Sequence, residues 1–98
     1  MPVYIALLRK DPDSDYSVDF PDFPGCITAA STLKEVRLMA EEALVFHIEG
    51  MIEDGEAIPA PRALDIIMAN PDNHDALPFP VPVPASLLAT THHRFATE

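Results

Sequence analysis

The chain has one cysteine, no tryptophan, three glycines and only six lysines and arginines among its 98 residues. Each shortage closes a route. A lone thiol, Cys26, cannot form an internal disulfide, so packing must hold the fold and a cytoplasmic setting is expected. Six basic residues against 16 Asp and Glu leave a net charge of −10. With no basic patch to neutralise phosphates, direct nucleic-acid binding is not expected, whereas a basic protein partner is. No apolar run is longer than the six residues Val3 to Leu8, far below the ~20 that cross a bilayer, so no membrane association is expected. A charged segment ahead of a long apolar one is also missing, and no secretory leader is expected. Three glycines and eleven prolines stay well under the roughly 25–30% of low-complexity chains. What is present is a 48% hydrophobic chain of a length suited to one domain. A domain this small holds little stability in reserve, and association is a natural supplement.

The first thirty residues read as three short strands. Val3 to Leu8 is an apolar run ended by the turn formers RKDPDSD at 9–15. In Tyr16-Ser17-Val18-Asp19-Phe20, apolar and polar residues alternate with the period of a strand buried on one face. Pro21 to Gly25 interrupts it, because the prolines remove donors and Gly25 permits a left-handed turn. Cys26 to Ala30 resumes as the third strand. Ser31 or Thr32 supplies an N-cap, with Glu35 in the capping-box position relative to Thr32. From there a helix runs to about Asp54, with Gly55 as its stop. Steps of 100° place Leu33, Val36, Ala40, Ala43, Leu44, His47 and Met51 on a core stripe. A second apolar face collects Leu38, Val45, Ile48 and Ile52. Ala63 to Ala69 forms a short second helix. From Ala76 to Pro84 proline takes every second place, which deletes donors from one side only. Leu77, Phe79, Val81 and Val83 then pair on the other side, as in an edge strand; the competing reading is a polyproline linker. Residues 85–98 show no period and form a tail.

Three blocks resemble the HicB-like antitoxin family of bacterial toxin–antitoxin systems. The most specific is DPDSDYSVDFPDFPGC at 11–26; MAEEAL at 39–44 and EDGEAIPAP at 53–61 follow in the right order. The likeness extends from about Val3 to Pro84, so residues 1–84 are expected to form the antitoxin domain. It implies an α+β, partial ribonuclease-H-like fold: three antiparallel strands, a long helix, a short helix and a fourth edge strand parallel to the first. A right-handed crossover through the helix would produce that arrangement. The resemblance also implies an antitoxin that binds a small basic HicA-type toxin, an mRNA-cleaving enzyme, and covers its active site. Many relatives carry a C-terminal DNA-binding module, for which the 14 residues after Pro84 are too few. The alternative is a stand-alone regulatory or ligand-binding module on the same scaffold, without a toxin partner.

Catalytic and metal chemistry find little support. Asp11, Asp13, Asp15 and Asp22 occupy positions 1, 3, 5 and 12 of a calcium loop, but Tyr16 stands where the sharp turn needs glycine. A solvated hairpin turn is the expectation. His47 falls on the core stripe, and the adjacent His92 and His93 suit no common metal site. Cys26 has no basic neighbour to activate it and reads as a core thiol. No enzyme activity, cofactor or metal is expected. For partner binding the candidates are Asp19, Phe20, Asp22, Phe23 and Gly25, which combine acidic groups with aromatic anchors on a rigid turn. The same prolines and glycine could instead only shape the turn, and the two phenylalanines only fill the core. For a homo-oligomer interface the candidates are Leu38, Val45, Ile48 and Ile52, unless the second helix covers them through Leu64, Ile66 and Ile67.

Overall fold

A computed structural model describes residues 2–10, 12, 15–84, 86 and 87. In chain order they form β1 (Val3–Lys10), β2 (Tyr16–Asp19), β3 (Ile27–Ala30), α1 (Leu33–Glu53), α2 (Leu64–Met68), a 3-10 turn (Pro71–Asn73) and β4 (Leu77–Pro82). The strands make one sheet of order β3-β2-β1-β4, antiparallel at every pairing. The two faces of β1 enter two different cores. Tyr4 and Ala6 pack with Val18, Val81 and the buried side of α1. Leu7, on the opposite face of the pleat, packs with Ile67 of α2 and with Ala76. That explains why β1 is an unbroken apolar run: helices cover it on both sides.

The fourth strand sits at the edge, as expected, but it runs antiparallel to β1, with Leu8 opposite Leu77 and Val3 opposite Pro82. The expected parallel crossover is not made, because the connector changes face. After α1 the chain passes the start of β1, where the Tyr4 hydroxyl donates to the Pro59 carbonyl at 2.5 Å. It then climbs the far face: Ile67 lands on Leu7, and Arg9 reaches the Asp72 carbonyl and Asn73 Oδ1 at 3.0 and 2.9 Å. The chain therefore enters β4 from the end of β1 and can only descend. The Val83 amide donates to the Pro2 carbonyl at 3.0 Å, so the odd-numbered amides face β1. Period 2 turns the prolines at 78, 80 and 82 to the outer edge, which offers carbonyls and no amide donors.

The buried row of α1 is Val36, Ala40, Leu44, Ile48 and Ile52, a four-residue spacing. Such a row runs obliquely round the helix, as a ridge does when a long helix crosses a sheet at an angle. Leu33, expected in the core, is therefore released to solvent at the N-terminal end, while Ile48 and Ile52 are drawn in. Glu35 does not close a capping box; its Oε1 accepts from the Thr32 and Ser31 hydroxyls at 3.1 and 3.3 Å. At the other end the Gly55 and Glu56 amides bond the Ile52 and Met51 carbonyls, with Gly55 at φ +74°. This double closure needs a left-handed residue, which glycine supplies.

Cys26 is buried and its thiol faces the Ala43 carbonyl at 3.7 Å. Burial pushes its pKa up from 9.0 to about 11. The unfolded thiol thus ionises first as pH rises, so this contribution is complete below pH 9 and is lost as pH climbs through the folded value. Desolvation raises Tyr4 as well, with the same sign. Denaturant titrations should show stability falling by roughly 2–3 kcal/mol between about pH 9 and 11 from Cys26 alone. Cys26→Ala should flatten that slope; an unchanged slope would refute the assignment. Asp11, Asp13, His92, His93 and the tail from residue 85, apart from 86 and 87, lie outside the described residues.

Candidate functional site

The turn between β2 and β3 is knotted by its own backbone. Phe23 donates to the Phe20 carbonyl and Cys26 to the Phe23 carbonyl, both at 2.9 Å, and Gly25 adopts φ +89°. Proline at 21 and 24 limits the alternatives. The rings of Phe20 and Phe23 turn inward, 2% and 1% exposed, and Phe23 meets Tyr4 edge to face at 4.7 Å and His47 at 5.8 Å. Both phenylalanines are therefore core residues, held by packing within the domain. Asp22 is withdrawn too. Its carboxylate accepts from the Arg62 side chain at 2.5 Å and from the Arg62 amide at 3.1 Å, with the Asp22 side chain 2% exposed. It fixes the connector to the turn, which also removes it from any calcium loop.

Of the five candidates, Asp19 and Gly25 remain at the surface. Asp19 takes a 2.7 Å ion pair from Arg9 Nε, an interaction that raises the pKa of the guanidinium. Arg9 in turn shares its charge with the Asp72 carbonyl and Asn73. Around this pair lies an open depression of about 470 Å³, with Ser17, Pro24, Gly25 and Ile27 on its walls. It occupies the part of the sheet that α2 leaves bare. Ile27, 67% exposed, went unnoticed in the sequence although its signal was there. In β3 the inward phase belongs to Cys26 and Ala30, so an isoleucine between them must face out.

The proposed oligomer stripe divides. Ile48 and Ile52 belong to the monomer core, 0% and 7% exposed, because the oblique ridge of α1 carries them onto the sheet. Leu38 stays 56% exposed and Val45 half-buried, and they are joined by Phe46 at 78%. The second helix does not cover them, since α2 lies across the sheet against Leu7.

Comparison with known proteins places this geometry in a family. A family model described as the HicB-like antitoxin of bacterial toxin–antitoxin systems matches residues 4–97. An uncharacterised 14.9 kDa protein from the rep–hol intergenic region of Haemophilus phage HP1 is 43% identical over 73 residues. That match takes in 74% of this chain and 54% of the phage protein, so the chain spans about half the length of that relative. Among solved structures, the antitoxin HicB of Burkholderia pseudomallei superposes with a TM-score of 0.79 at 30% identity, over 89% of this chain and 67% of that one. A chain of a HicA3–HicB3 toxin–antitoxin complex superposes with a TM-score of 0.71 at 25% identity, over 84% of this chain and 98% of that one.

Proposed function

Because the chain belongs to the HicB-like antitoxin family of bacterial toxin–antitoxin systems, we propose that it neutralises a small basic HicA-type toxin by binding it and covering its active site. The observation that carries this reading is the match to nearly the whole of one chain in a HicA3–HicB3 complex. Charge supports it. An enzyme that cleaves RNA needs a cationic surface for phosphates, and a protein of net charge −10 can occupy that surface with attraction that speeds the encounter. The same acidity works against contact with nucleic acid by this chain alone. The reaction is blocked by exclusion, and catalysis by the antitoxin has no part in it.

On this reading the rim of Asp19, Pro24, Gly25 and Ile27 meets the toxin, with Asp19 the charged member. Asp19→Arg places a guanidinium beside Arg9 and repels a basic partner. Affinity for the toxin, measured by titration calorimetry, is expected to fall about 30-fold, while the melting temperature changes little because the Arg9 pair is partly exposed and contributes only ~0.2–1 kcal/mol. Undiminished affinity would remove this rim from the interface. Co-expression with a HicA-type toxin should restore growth, and the purified chain should stop RNA cleavage at equimolar ratio; continued cleavage in excess antitoxin would overturn the functional reading.

A further inference from the structure

The outer face of α1 carries Phe46, the most exposed large apolar side chain among the described residues. On one side of its ring is a shallow depression of about 340 Å³ walled by Leu38 and Val45 and bordered by Glu41, Glu42 and Glu49. On the other side a deeper one of about 510 Å³ opens between α1 and the 20–26 turn, floored by Phe23, His47 and Met51 and bordered by Asp54 and Glu56. Neither has a lysine or arginine on its walls. Pro24 lines the deeper depression and also the one beside Asp19, so the two surfaces join around the turn.

We propose that this face docks a cationic, apolar-centred segment of the toxin, with Phe46 as its anchor and the surrounding carboxylates pairing with lysines and arginines of that segment. The inference rests on the reading of the chain as an antitoxin and names a surface for it. An apolar centre rimmed by charge is the anatomy of a protein interface, and an aromatic residue at its centre is the kind that dominates binding energy. The sign of the rim selects the occupant. A second copy of this chain would bring Glu41, Glu42 and Glu49 against their own equivalents across a twofold axis, and like charges so placed oppose association. A basic partner turns the same rim into attraction.

The test uses the full chain and its purified HicA-type toxin. Phe46→Ala should weaken binding about 30-fold with an unchanged melting temperature, since the ring contributes nothing to the core. Glu42→Lys combined with Glu49→Lys should slow association and flatten its dependence on salt. Wild-type affinity in Phe46→Ala, in a chain that binds toxin, would overturn the inference and leave the antitoxin reading standing. A wild-type dimer in sedimentation that Phe46→Ala dissociates would assign the face to a second copy and equally overturn it. Failure of the wild-type chain to bind any HicA-type toxin would remove the antitoxin reading, and this inference with it.

Discussion

Truncating Phe23 to alanine is expected to cost about 3–5 kcal/mol, much of the roughly 5–15 kcal/mol that keeps a small domain folded. The ring is buried at the junction of three elements: it packs edge-on to Tyr4 of β1 and to His47 of α1, while its backbone ties the 20–26 turn. Removing it opens a cavity that rigid neighbours cannot collapse into, because Pro24 and the hydrogen-bonded turn hold the backbone in place. Guanidinium unfolding should show a lower midpoint with an unaltered slope. A loss below about 1 kcal/mol would mean that the turn repacks freely and that the junction is not what holds it.

Arg62→Ala should be nearly as damaging, by about 3 kcal/mol, for an electrostatic reason. The Asp22 carboxylate is almost fully buried, and without the guanidinium it keeps, among the described residues, only the Arg62 amide as donor. The pair is asymmetric, since the Arg62 side chain is half exposed and can be solvated when alone. Asp22→Asn should therefore cost less than Arg62→Ala, and adding Asp22→Asn to Arg62→Ala should restore part of what the single change loses. A double mutant less stable than Arg62→Ala would show that the charge itself is not the source of the cost.

The elements were legible because their signals are local. The alternation of Tyr16, Val18 and Phe20, the glycine at 55 and the proline period from 78 to 84 each report on neighbours within a few residues. What was hidden depends on partners far along the chain. Local alternation puts Phe20 in phase with Val18 but does not settle whether Phe23, past the break at Pro21, faces inward, and no pattern near Asp22 announces an arginine 40 residues later. The direction of β4 turns on which face the connector takes. Ile67 on Leu7 and Arg62 on Asp22 decide that, and both are tertiary contacts. The helix was read as a straight stripe, while its packing follows a ridge of four-residue steps, which misplaced Ile48 and Ile52. Of the candidate rim, the acidic member Asp19 was readable from its exposed strand phase, and the apolar members were not given their weight.

The antiparallel return of β4 bears on how the domain is made. Its interior strand β1 takes one neighbour, β2, from a local hairpin and the other from almost the far end of the domain. Long-range pairing of this kind delays folding, because the chain must close a large loop before any contact rewards it. On the ribosome β1 would emerge first and wait, apolar on both faces and with one edge open, until residues 77–82 follow. An open apolar edge of that sort is a template for aggregation. The strand that finally closes it carries prolines on its own outer side, so the growing sheet is terminated by the same segment that completes it. Synthesis thus passes through one vulnerable interval, and the proline period ends it without opening a second edge at that side of the sheet.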